Sequence, residues 1–240
     1  TQARELRAAF QLLVQAQVVL VAHHCDASGV PLRAGIDPNV YPFGHRPPDS
    51  WLDRWYHEHP FLLERQVLTL PGRITRLKGH LDFLQLLARL VAAGLPVYGL
   101  IVGAEDPAHA AYLREVQRSV QRLGLENHVT FTGHRMDMRD IYAVSNLVFS
   151  LSAKPESFGR TVREALSLGV PVVGYDHGGV GETLSLAYPQ GRVTPRDVDA
   201  LERATRLLLE FPVEVDPFRF PTVQDMIDQT LSLYRGLTHS

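Results

Sequence analysis

Cysteine is almost absent: Cys25 stands alone in 240 residues. A disulfide within the chain and a cysteine zinc site are both excluded, and a reducing, cytoplasmic setting is expected. Charge of one sign is lacking too. Lys and Arg total 24 against 26 Asp and Glu, a formal charge of −2. That balance offers no broad positive field, so no nucleic-acid partner is expected, although a small basic pocket for a phosphate is compatible with it. Long apolar runs are also lacking, and stretches such as Gln17 to Ala22 are too short to cross a bilayer. The opening TQARELRAAF, charged at Arg4, Glu5 and Arg7, does not read as a signal peptide. No repeat or low-complexity tract stands out. No compact His/Asp cluster suggests a metal, and His23-His24, neighbours after a strand, would point to opposite faces. No metal is therefore expected. What is present, 45% hydrophobic and 21% charged residues, is ordinary for a globular protein of one large domain, or one domain plus part of another.

The apolar pattern alternates between two periods. Leu6 to Gln15 is spaced like a helix and Val18 to Ala22 like a short buried strand. A Gly- and Pro-rich passage follows from Ser28 to Pro48. Trp51, Trp55, Tyr56 and Phe61 then suggest a short helix that packs its aromatics. From Gln66 the alternation is regular. Strands are expected at Val67–Leu70, Val97–Val102, Val129–Phe131, Leu147–Leu151, Val170–Tyr175 and Val193. Helices are expected at His80–Ala93, Ala108–Leu123 closed by Gly124, Asp137–Val144, Arg160–Leu168 ended by Gly169, Asp197–Glu210 and Val223–Tyr234. Such alternation means βαβ units, hence an α/β fold with a parallel, Rossmann-like sheet and helices on both faces. Ligands of such sheets bind at the carboxyl ends of the strands.

Three loops at those ends carry chemistry. The first runs Gly72-Arg73-Ile74-Thr75-Arg76-Leu77-Lys78-Gly79, glycines bracketing cations that could hold phosphate oxygens or could simply be solvated. The second, Lys154 to Ala165, places Glu156 and Glu164 eight positions apart around Gly159. Backbone N–H groups at a helix start favour an anion, and carboxylates accept hydroxyls. Equally, Glu156 could cap the helix and Glu164 could be a solvated residue. The third, Asp176 to Glu182, has a glycine cluster suited to close backbone approach or to a tight turn.

Together these loops resemble a known family. ESFGRTVREALSLGVPVVGYDHGGVGE is similar to the signature of the family 4 retaining glycosyltransferases, E-x-F-G-x-x-x-x-E-A followed by G-x-P-V-V and G-G-x-x-E. LPGRITRLKG is similar to that family's G-R-x-x-x-x-K-G element, and HVTFTGHRMDMRDIYAVSNLVFS to its V-x-F-x-G … Y-x-x-(S/A)-(D/N) stretch. AGIDPNVYPF is similar to N-G-(I/V)-D-x-x-x-F, with Ala34 in place of Asn. The resemblance runs from about Ala34 to the C-terminus.

The resemblance implies the C-terminal, donor-binding half of a GT-B glycosyltransferase acting on a nucleotide diphosphate sugar, with no cofactor. By it, Arg73 and Lys78, with Gly72 beside them, bind the diphosphate, and Glu156 lies near the donor sugar. Arg73, Lys78 and Glu156 are the catalytic expectations. Ser157, Phe158, Gly159, Arg160 and Thr161 surround sugar and phosphate, and Glu164 takes the ribose hydroxyls. The base falls near Gly103 and the loop Gly133, His134, Arg135 and Met136. The implied division is 1–62, a remnant of an N-terminal domain plus linker, and 63–240, the donor domain. The expected partners are the nucleotide-sugar donor and a glycan or lipid-linked acceptor. Peripheral membrane contact would come through the absent N-terminal half. By this reading the chain is incomplete as an enzyme, and an apolar surface around Leu12, Val19 and Trp51 is expected to be exposed, or covered by self-association. A GT-B sugar-nucleotide epimerase and a non-catalytic nucleotide-sugar-binding module are the alternatives.

Overall fold

A computed structural model describes residues 35–105, 107–217, 220–222, 224–225 and 227–228. The helix and strand expected at Leu6–Gln15 and Val18–Ala22, most of the helix at Val223–Tyr234, and His23-His24 lie outside the described residues. Contacts divide the chain into two units, Thr1–Pro38 with Arg219–Ser240, and Asn39–Phe218. In the first, Ile36 bridges Thr222 in parallel, its N–H donating to the Pro221 carbonyl at 2.9 Å. The sheet and the loops at its carboxyl ends lie within the second.

Its sheet has six strands, all parallel: β1 Gln66–Pro71, β2 Val97–Val102, β3 Val129–Gly133, β4 Leu147–Ser150, β5 Val172–Tyr175 and β6 Arg192–Val193. The spatial order is β3-β2-β1-β4-β5-β6, that of a doubly wound sheet. The direction of winding reverses between β1 and β4, so a crevice opens there at the carboxyl ends. β2 and β4 are buried along their whole length, as strands covered on both faces must be.

The helices are α1 Asp49–Glu58, α2 His80–Ala92, α3 Ala110–Arg122, α4 Met138–Ala143, α5 Arg160–Ser167, α6 Gly178–Ala187 and α7 Val198–Glu210. In α2, Phe83, Leu84, Leu87 and Leu90 recur at helical spacing and are fully buried. A side chain at Gly99 of β2 would strike Leu87 and Phe83, so this face of the sheet carries α2. The alternate residues Tyr98, Leu100 and Val102 pack with Trp51, Trp55 and Ile141 on the other face. Gly124 and Gly169 follow α3 and α5 with φ of 67° and 86°, and the N–H of the next residue returns to the helix in each case, at 3.0 Å. Both helix ends are where the sequence put them.

One expectation is corrected and one open alternative is ruled out. Trp51 is not exposed: it is 6% accessible, stacked on Trp55 at 5.0 Å between ring centres, and its indole N–H donates to Asp137 at 2.8 Å. The aromatic helix fills the core instead of awaiting a partner. The glycine cluster at Gly178 is not a tight turn; it starts α6.

Candidate functional site

The loops after β1, β2, β4 and β5 interlock at the switch point, and missing β-carbons make this possible. A Cβ on Gly103 would lie 1.9 Å from the Gly72 carbonyl oxygen, and one on Gly79 would lie 2.1 Å from that of Leu151. Gly72 and Gly79 also take φ of 134° and 74°, open mainly to glycine. The Ala153 N–H donates to the Leu77 carbonyl at 2.7 Å, lacing the β1 and β4 loops together. A one-turn 3-10 helix at Arg76–Lys78 aims Lys78 across the join, where its Nζ lies 2.6 Å from Glu156 Oε1. The Ser152 hydroxyl donates to the same oxygen. Arg73 is exposed on the same loop and, among the described residues, forms no ion pair, so its fork is free for an anion.

The third loop closes from beside. The Gly179 N–H donates to the Glu156 carbonyl at 2.7 Å, and a Cβ on Gly178 would lie 2.7 Å from that carbonyl. His177 Nε2 donates to the Ser152 carbonyl at 2.9 Å. The cluster thus clasps the Glu156 segment in place. Lys78, Glu156, Gly178 and Gly179 are brought together as the motifs implied.

α5 begins at Arg160 behind Gly159, whose φ is 56°, and no side chain caps it. Glu156 therefore does not cap this helix, and the first N–H groups are available to an anion beside the Lys78–Glu156 pair. Glu164 is not a solvated residue. It is 6% accessible within α5, taking a hydrogen bond from Arg160 Nε at 2.8 Å and from the hydroxyl of Tyr142 on α4 at 3.3 Å. Burial and the Glu164 charge push the Tyr142 hydroxyl well up, so it stays protonated and donates.

The loop after β3 is placed differently. Gly133 ends the strand at φ 71°, His134 is exposed, and Met136 is 88% accessible. The Arg135 guanidinium is committed to both oxygens of Asp137, at 2.9 and 2.6 Å, and lies over the Trp55 ring. Arg135 and the Trp51 indole hold the Asp137 carboxyl down at about 2. Arg135 thus anchors this loop to the aromatic helix.

Ser152 and His177 belong to no motif of their own in the sequence; their signal is position alone, two residues beyond the ends of β4 and β5. The sequence also contains a D-x-D triplet, Asp197-Val198-Asp199. It is structural: Asp197 caps α7 by accepting from the Ala200 N–H at 2.8 Å, and Asp199 pairs with Arg89. Among the described residues no group of three or more His, Cys, Asp or Glu could hold a metal, and no helix is long and apolar enough to cross a membrane.

Known proteins resemble this chain. It is 36% identical over 133 residues to the mannosylfructose-phosphate synthase of Agrobacterium fabrum, covering 52% of this chain and 28% of that protein. It is 30% identical over 151 residues to the 2-deoxystreptamine glucosyltransferase of Streptomyces kanamyceticus, covering 62% and 38%. The chain thus spans less than two fifths of the length of these curated relatives. The crystal structure of Anabaena Alr3699/HepE in complex with UDP and glucose superposes with a TM-score of 0.70 at 24% identity, covering 86% of this chain and 55% of that one. Residues 53–219 match the model of the glycosyl transferases group 1, and the chain belongs to that family.

Proposed function

We propose that this chain is the donor-binding part of a glycosyltransferase that moves a sugar from a nucleoside diphosphate to an acceptor hydroxyl with retention of configuration. The observation that carries the reading is the Lys78–Glu156 pair at the switch point, beside the uncapped start of α5. The arrangement provides opposite charges for opposite ends of one substrate. Arg73, Lys78 and the free N–H groups of α5 face the diphosphate and stabilise the charge that grows on it as the sugar departs. Glu156, held by Lys78 and Ser152, accepts hydrogen bonds from donor-sugar hydroxyls. Glu164 takes the ribose, and the base lies towards Gly103 and the Gly133–Met136 loop.

Membership of the family supports the reading, as do curated relatives named as a mannosylfructose-phosphate synthase and a 2-deoxystreptamine glucosyltransferase. In this proposal 63–240 is the C-terminal domain of a family 4, GT-B enzyme that works without a metal, in the cytoplasm at the inner face of the membrane. Its acceptor is a glycan or a lipid-linked sugar. The 240 residues alone bind the donor and transfer slowly, below about 1 s⁻¹. Calorimetry against UDP, GDP and ADP and their sugar conjugates tests this. Binding of one nucleotide series, with the sugar conjugate sensitive to Glu156→Ala, is the expected result. No binding by any of the three series sinks the proposal.

A further inference from the structure

The turn that carries Lys78 is too short to hold itself. It is one turn of 3-10 helix, Arg76–Lys78, closed by the Lys78 N–H donating to the Thr75 carbonyl at 3.1 Å. No side chain caps its start, and Gly72 and Gly79, both at positive φ, bracket its loop. One hydrogen bond does not offset the entropy of fixing three residues. The direction of Lys78 must therefore be set by contacts outside the turn.

Successive side chains of a 3-10 helix leave a third of a turn apart, so its three residues face different neighbours. The Leu77 carbonyl accepts from the Ala153 N–H beyond β4, and Lys78 reaches Glu156. Arg76 reaches α3. Its guanidinium forks onto Glu115, Nη1 donating to Oε1 at 3.3 Å and Nη2 to Oε2 at 2.5 Å. It also lies over the Tyr112 ring, 5.0 Å from its centre. Tyr112 is buried, and its ring meets that of the buried His80 edge-on at 5.9 Å, so the platform under Arg76 is fixed. Arg76 thus differs from Arg73 on the same loop: its fork is filled by a carboxylate of the protein.

We propose that Arg76 and Glu115 form a latch that sets the direction of Lys78, making both of them positioning residues for the diphosphate. This rests on the diphosphate role proposed for Lys78. Glu115, a residue of α3 that belongs to none of the three motif loops, then tunes affinity at the crevice. The Arg76 side chain is 67% accessible and that of Glu115 33%, so the latch is partly screened and its effect is a few-fold one.

The test uses the 240-residue chain and the tightest binder among UDP, GDP and ADP, by calorimetry, with each variant checked for folding by its thermal melt. Lys78→Ala should weaken binding about ten-fold or more, the scale of a hydrogen bond to a charged group. Arg76→Ala and Glu115→Gln should each weaken it about three-fold, the scale of an exposed ion pair. Neither should weaken it further in a chain that already carries Lys78→Ala. A direct contact from Arg76 to the phosphates gives Glu115→Gln the opposite sign, because the released guanidinium then tightens binding. Tightening by Glu115→Gln, or an Arg76→Ala loss that persists in the Lys78→Ala chain, overturns the latch. So does a Lys78→Ala loss with either of the other two variants at wild-type affinity, which leaves the role of Lys78 standing. A Lys78→Ala chain that binds like wild type, or a wild-type chain that binds none of the three nucleotides, overturns the diphosphate role of Lys78 and the latch with it.

Discussion

Lys78 and Glu156 come from segments 78 positions apart and meet at 2.6 Å, with Ser152 donating to the oxygen they share. Neither side chain is fully buried, so the pair is partly screened and its contribution to stability is small. Its value lies in position. It holds a cation and a carboxylate at the mouth of the crevice before any ligand arrives.

Arg73 and Glu156 should separate by ligand. Arg73→Ala should weaken a nucleoside diphosphate by about 1.5–3 kcal/mol, the range for a hydrogen bond to a charged group. Glu156→Ala should spare the free diphosphate and weaken the sugar conjugate. Titrations in which both variants bind the diphosphate like wild type would place the site elsewhere.

Gly79→Ala should be among the most damaging single changes. The new Cβ meets the Leu151 carbonyl at 2.1 Å, and the residue keeps φ 74°. Backbone strain and overpacking together should cost about 2–5 kcal/mol in urea unfolding. Gly94→Ala, also at positive φ but with open space around it, should lose only the smaller strain cost of about 1 kcal/mol.

His80 should make the fold acid-sensitive. It is wholly buried at the start of α2, and neither ring nitrogen has a hydrogen-bond partner. Burial pushes it down to about 4, the nearby Thr75 backbone offsetting part of this and the Lys78 charge adding to it. The folded state therefore resists a proton that the unfolded chain accepts below about 6.5. Stability should be intact above pH 6.5 and fall by about 3 kcal/mol as the pH drops to 4. Urea midpoints at pH 7, 5.5 and 4.5 for wild type and His80→Phe read this directly: the difference between the two chains should shrink or reverse as the pH falls. A constant difference would refute it.

Trp55→Ala should cost about 3–5 kcal/mol through the cavity it leaves, because the ring is 2% accessible, stacked on Trp51 and covered by Arg135. Diphosphate affinity at a temperature where the variant is folded should change less than three-fold; a larger loss would show that the aromatic helix shapes the site.

All six strands were legible from the alternation of short apolar runs with helical spacing; β2, buried on both faces, was placed to the residue at Val97–Val102. α6 was not, because it opens GGVG, which propensity assigns to a turn. Glycine stands there since the backbone of 156–158 and the Pro155 ring lie where side chains would go, a tertiary fact with no local trace. The residues alone left open whether Glu164 was a solvated residue or a hydroxyl acceptor, because burial of the whole run Val162, Arg163, Glu164, Ala165 and Leu166 is set by tertiary packing. Tyr142, which donates to that carboxylate, lies 22 positions before it on another helix and could be found only in three dimensions. The cations and carboxylates themselves were visible from their loops, since type and spacing carry that information.

The place of the crevice between β1 and β4 also governs when it can exist during folding. β1 pairs with β2 through one helical crossover, but with β4 only after β2, β3 and their helices have been laid down. Closing so long a loop is entropically slow, and the two halves of the site meet only at that step. An intermediate with β1, β2 and β3 assembled would own Arg73 and Lys78 but neither glutamate. A nucleotide that needs both halves therefore binds only the finished sheet, and its binding energy adds directly to the stability of the whole unit.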